Sequence, residues 1–191
     1  MCTRHKQHGT SLIELIMFIV IVAVALAGIL LVMNTVTRGS ADPLIHKQAL
    51  AIAESLLEEV ELMPFTFCDP DDPAAGLVTT VDTTACTAPA GGEVIGTEGA
   101  EWRNVPPQFD NVSDYDNFGM AAGAILDITG ANTGLNGYIL EPIVVTPIAA
   151  GVLPGVAAND ALLITVTVRG PDGTPVVVDG IRTRYSPRGV P

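Results

Sequence analysis

Residues 9–14 read Gly9-Thr10-Ser11-Leu12-Ile13-Glu14, and residues 15–37 continue LIMFIVIVAVALAGILLVMNTVT. No charged residue falls between Leu15 and Met33. At about 1.5 Å per helical residue this run reaches roughly 28 Å, close to the depth of a bilayer's hydrocarbon core. The whole chain of 191 residues is 48% hydrophobic and only 16% charged, more apolar than a soluble domain needs, and this run carries the excess. What remains is too small to surround such a segment on all sides, so a buried core helix is the weaker reading and a membrane helix the stronger.

The flanks set the direction of insertion. Arg4 and Lys6, with His5 and His8, precede the run, and positive charge stays on the cytoplasmic side, so the chain enters N-in and C-out. Asn34-Thr35-Val36-Thr37-Arg38 is a poor match to the small-x-small site of a secretory signal, which predicts that the apolar segment is kept. Glu14 lies just inside the run, between Ile13 and Leu15. At headgroup level such a carboxylate costs little; deeper, it needs a positive partner. Arg4 and Lys6 are one source, and an α-amino group made by cutting the chain is another.

The order of basic leader, Gly9, Thr10-Ser11-Leu12-Ile13-Glu14 and uncharged helix resembles the type III signal of type IV prepilins and pseudopilins. The resemblance implies cleavage by a membrane-embedded prepilin peptidase after Gly9, methylation of the new N-terminus at Thr10, and Glu14 as fifth residue of the mature chain. Thr10 departs from the usual Phe or Met. In a filament the apolar helices pack on one another, and a buried Glu14 would pair with the methylated amine of a neighbouring subunit. Cleavage would also remove Arg4 and Lys6, releasing the topological anchor. The implied fold is α+β and pilin-like: a long N-terminal helix, half membrane-spanning and half amphipathic, packed on a small C-terminal antiparallel sheet. The segments are a leader at 1–9, a transmembrane and assembly helix at 10–39, an amphipathic helix at 40–64, a loop with a cysteine pair at 65–101 and a β-rich head at 102–191.

The second helix has its own signals. Arg38-Gly39-Ser40-Ala41-Asp42-Pro43 predicts a break, with Asp42 as N-cap and Pro43 in the first turn. Ile45, Ala49, Ile52, Ala53, Leu56, Val60 and Met63 then form one apolar stripe, closed by Pro64. A turn-rich stretch follows with Cys68 and Cys86. Beyond the membrane these two read as a disulfide, two free thiols being the alternative, while Cys2 would leave with the leader. Ile125–Thr129, Tyr138–Thr146, Ala161–Arg169 and Val176–Tyr185 predict about four antiparallel strands. Gly170-Pro171-Asp172-Gly173 is a turn, and Asp179-Gly180 reads as a bulge.

Several chemistries are poorly served. With 9 basic against 21 acidic residues the chain repels phosphate backbones, which disfavours nucleic acid as a partner. His46 is the one histidine beyond the leader and has no nearby Ser or Cys, so neither a catalytic triad nor a zinc site is expected and the chain is not read as an enzyme. No cofactor motif occurs. Asp110, Asp114 and Asp116, with Asn117, are weak calcium candidates. They match part of an EF-hand loop without its closing Glu, so a solvated acidic loop without metal is the first reading, for them and for Asp69, Asp71 and Asp72. Trp102, Phe109, Tyr115 and Phe118 are expected to pin a long loop on the sheet rather than to form a binding platform.

Within the family, the Ser40–Pro43 junction, residues 110–116 and Arg182-Thr183-Arg184-Tyr185 resemble the MshD-like minor pilins of mannose-sensitive haemagglutinin (MSHA) pili. The implied function is a structural and assembly subunit of such a pilus. The implied partners are other pilins, the prepilin peptidase, the assembly platform of the bacterial inner membrane, and membrane lipid before assembly. The head would lie in the periplasm until the subunit enters the fibre. A type II secretion pseudopilin is the alternative in the same class; an uncleaved single-span receptor or adhesive module is the alternative from another.

Overall fold

The computed structural model describes residues 11–77, 79–87 and 91–184, apart from the side chains at 35 and 37–42. The chain forms an α+β structure that parts into two compact units, one ending at Leu44 and the other starting at Ile45.

One helix, α1, runs from Leu12 to Leu62 with Pro43 inside it. This corrects the break expected at residues 38–43. Proline lacks the N–H for one i→i−4 bond and costs about 3 kcal/mol in a helix interior. Packing of the buried stripe from Ala49 to Val60 stabilises the helix on the C-terminal side of that proline. In the second unit Ala49, Ala53, Leu56 and Val60 are buried, as the stripe predicted, and Leu57 joins them. Ile45, Ile52 and Met63 lie at the margin of the same core.

The sheet contains β1 (Ile139–Leu140), β2 (Val144–Pro147), β3 (Ala161–Arg169) and β4 (Pro175–Thr183), all antiparallel, with β3 pairing to each of the others. β1 and β2 are one ribbon broken at Pro142. Leu140 pairs with Val168 and Val144 with Thr165, so three residues on one side face two on the other. That extra residue is a bulge, placed where proline cannot donate to the ladder. Ile125–Thr129 is not a strand: Leu126 forms only an isolated bridge to Asn132, and Asp127 closes a local turn through Thr129 and Ala131. The expected bulge at Asp179-Gly180 is also absent, because Asp179 pairs with Thr165 and Gly180 with Ile164 in unbroken register. Gly180 instead makes room for the helix. A Cβ there would stand 2.7 Å from Leu57 Cδ1 and would also meet Glu61 Oε1.

Leu162, Ile164, Val166 and Val168 of β3 point into the core shared with the helix stripe, alternating with half-buried Leu163, Thr165, Thr167 and Arg169. Between helix and sheet the chain is mostly loop, held by the Cys68–Cys86 disulfide with Cα atoms 5.4 Å apart. Asp72 reinforces that closure. Its carboxylate accepts from the Ala74 N–H at 2.7 Å and from the Thr87 hydroxyl at 2.9 Å, and the Ala74 bond leads the forces that lower its pKa.

Candidate functional site

Among its described residues, the first unit offers an apolar span with a single acid. Leu12–Asn34 is long and apolar enough to cross a membrane, and none of it is buried within the structure. Glu14 is its only charged residue. Rows of exposed Leu, Ile and Val at this density need lipid or other protein to cover them. Glu14 lies in the first turn of α1, where the helix dipole favours an acid. Ser11 Oγ accepts from the Ile13 N–H at 3.3 Å, so Ser11 caps this end. Ser11-Leu12-Ile13-Glu14 also has the sequence spacing of a capping box. Gly9 and Thr10, the expected cleavage and methylation positions, lie outside the described residues, as does Cys2.

In the second unit a charged network joins the helix to the loops. Glu59 of α1 receives two hydrogen bonds of 2.6 Å from Arg103, and the two side chains are 10% and 3% exposed. Arg103 Nη1 also donates to the carbonyls of Leu126 and Asp127 at 3.1 Å each, and Tyr115 donates its hydroxyl to Glu59 at 2.8 Å. Burial pulls the Arg103 pKa down, but the hydrogen bonds and charge of Glu59 outweigh it and hold the guanidinium above its usual value. Burial and the nearby Glu59 charge push the Tyr115 hydroxyl up. Phe109, Tyr115 and Phe118 pack edge to face, with centroids 5.0–6.2 Å apart, pinning this loop as expected. Trp102 does not join them and is exposed.

The solvated reading of the acidic loops holds for exposed Asp71 and Asn117, while Asp110 and Asp116 are half-buried and three other acids correct it. Asp69 and Asp72 are buried, and Asp114 is 1% exposed. The calcium candidates also separate. Asp110 gathers with Asp69 and Asp71, whereas Asp114 gathers with Glu93 and Glu98; within each group one carboxylate oxygen per residue lies within 4.8 Å of the others. Asp116 turns away to accept from the Val145 N–H at 2.9 Å and from Asn117 at 2.6 Å. Glu93, Glu98 and Glu101 were missed from sequence. Glu93 stands 21 positions before Asp114 in the chain, and no local pattern marks contacts made by loop closure.

Burial, followed by crowding from the other acids, raises three of these carboxyls: Glu93 to about 8, Glu101 to about 7 and Asp110 to about 6. For Glu93 the hydrogen bond from Ser113 opposes the rise. Glu98 and Asp114 are raised as well, mainly by burial. The folded chain thus keeps protons that the unfolded chain loses between about pH 4 and 5. The stabilisation is complete below that range and is lost as pH rises through 6 to 8. In chelator-containing buffer the head should melt at a higher temperature at about pH 5.5 than at about pH 8.5. A flat or rising melting curve across that window would contradict the crowding.

No family model, characterised protein or solved structure matches this chain.

Proposed function

We propose that this chain is a minor type IV pilin, a structural and assembly subunit most like the MshD-like pilins of MSHA pili. In this reading a prepilin peptidase cuts between Gly9 and Thr10, the Thr10 amine is methylated, and the apolar half of α1 leaves lipid to pack among other pilins. The head follows the membrane segment into the periplasm and then into the fibre. The observation that carries the reading is the exposed span Leu12–Asn34 with one charge, at Glu14, directly after Gly9-Thr10-Ser11. A lone acid on an apolar rod is expensive unless a fixed cation meets it. The amine of a neighbouring subunit, offset along the fibre axis, meets it only in one register. The disulfide Cys68–Cys86 suits an oxidising compartment beyond the membrane.

The test separates pairing from capping. Glu14→Gln keeps an acceptor for the capping box and loses the charge; Glu14→Ala loses both. Both variants should be cleaved normally, and both should fall about tenfold or more in sheared surface fibres, consistent with loss of a buried ion pair. Wild-type incorporation of Glu14→Gln beside a defective Glu14→Ala would assign Glu14 to the helix cap and remove the pairing argument.

A further inference from the structure

The group formed by Glu93, Glu98 and Asp114 has properties that neither the fold nor the pilin reading uses. Asp114 sits in the 3₁₀ turn Val112–Tyr115 and is 1% exposed. Its Oδ2 accepts from the backbone N–H groups of Asp110 at 2.9 Å and Asn111 at 2.7 Å, whereas its Oδ1 is fully enclosed and has no hydrogen-bond partner. Glu93 shows the same asymmetry. Its Oε1 accepts from Ser113 Oγ at 2.5 Å, and its Oε2 is enclosed without a hydrogen-bond partner. Glu98 Oε1 accepts from the Val94 N–H at 2.9 Å. Carboxylate oxygens shielded from water need compensation, and here two of them occur in one cluster.

Arg184 is the cation that faces Glu93 across the cavity both residues line. It is already engaged: its guanidinium lies 3.8 Å from the Phe65 ring centroid and 4.0 Å from that of Phe67, and its Nε stands 3.6 Å from Asp160. It also donates to the Thr66 carbonyl. Asp69 lies close enough to add to the negative charge at Glu93, Glu98 and Asp114.

We propose that Glu93, Glu98 and Asp114 bind one divalent cation, calcium by ligand chemistry, which fastens the loop after the disulfide to the Val112–Tyr115 turn. Two oxygens that ligate one calcium at about 2.4 Å stand at most about 4.8 Å apart. The three carboxylates already offer oxygens within 4.8 Å of one another. All three ligands are hard oxygens, with no His or Cys in the group, which disfavours zinc and the softer metals. They come from loops and not from a rigid octahedral frame, which suits calcium better than magnesium. The second triad, Asp69–Asp71–Asp110, lacks an enclosed oxygen without a partner among those identified and serves as the internal control.

The test is titration of the full-length, detergent-solubilised and chelator-stripped chain with calcium chloride, followed by calorimetry and by thermal melting. One calcium per chain should bind with a Kd between about 10⁻⁵ and 10⁻³ M, and saturating calcium should raise the melting temperature by about 5 °C or more. Magnesium should bind at least about tenfold more weakly. Glu98→Gln, a variant of the least enclosed ligand and so the one expected to fold, should weaken calcium at least about tenfold, while Asp71→Asn should leave it unchanged. If Asp114→Asn fails to fold, Glu98→Gln alone decides the matter. No heat and no melting shift up to about 10 mM calcium would overturn the proposal. Binding lost in Asp71→Asn but kept in Glu98→Gln would overturn it equally, by moving the ion to the other triad. Neither result bears on whether the chain is cleaved after Gly9.

Discussion

Under the proposed maturation, replacing Gly9 by leucine should leave the chain in the membrane at full length. The peptidase implied by the resemblance must bring its catalytic groups to the peptide bond between Gly9 and Thr10. A residue without a side chain lets the backbone approach closely and adopt conformations closed to others. A branched side chain there blocks that approach. A barrier raised by a few kcal/mol slows cutting by about two orders of magnitude. The mature form should therefore nearly vanish from immunoblots of membrane fractions, and the uncut form should be missing from sheared fibres, because its amine is not at Thr10 to meet Glu14. Processing of Gly9→Leu at the wild-type rate would place the cut elsewhere or remove it.

Arg103→Ala should produce the largest loss of stability in the head. Arg103 and Glu59 form a nearly enclosed, two-bond ion pair that ties α1 to the loops, and Arg103 also holds the carbonyls of Leu126 and Asp127. Removing one partner leaves Glu59 buried with the Tyr115 hydroxyl alone among these contacts. Breaking a buried pair in this way costs about 3–5 kcal/mol. For a domain of this size that lowers the melting temperature by about 10 °C. The double variant Arg103→Met, Glu59→Leu should recover part of the loss, since an apolar pair avoids the uncompensated charge while the Tyr115 hydroxyl and the carbonyls of Leu126 and Asp127 lose these partners. Circular-dichroism melts of the solubilised chain read both effects. A melting point for Arg103→Ala within about 2 °C of wild type would show that the pair contributes little.

What could be read from sequence depended on whether the signal was local. The span Leu12–Asn34, the buried faces of Ala49–Val60 and of β3, and the Cys68–Cys86 bond are all periodic patterns or counts, and each appears in the structure. The helix break was misread because Asp42-Pro43 has the chemistry of a helix start. Proline in the first turn of a new helix and proline inside one long helix present the same local chemistry, and α1 takes the second course. Asp179-Gly180 was misread for a related reason: glycine in a strand signals either a bulge or a close approach, and only the position of Leu57 decides between them. The regrouping of the acids was not legible at all. Asp110, Asp114 and Asp116 look like one ligand set along the chain, yet the 3₁₀ turn at Val112–Tyr115 sends them toward three different neighbourhoods. Their partners Asp69 and Asp71 come from the disulfide-closed loop, and Glu93 and Glu98 from the segment that follows it, so both groups form only when these loops fold across.

The proposed maturation is tested most directly by intact-mass and N-terminal analysis of the wild-type protein extracted from membranes and from sheared fibres. The account predicts a chain that begins at Thr10 and is heavier than the cut sequence by the one CH₂ that a single N-methylation adds. A fibre-bound chain that still carries residues 1–9 would contradict it.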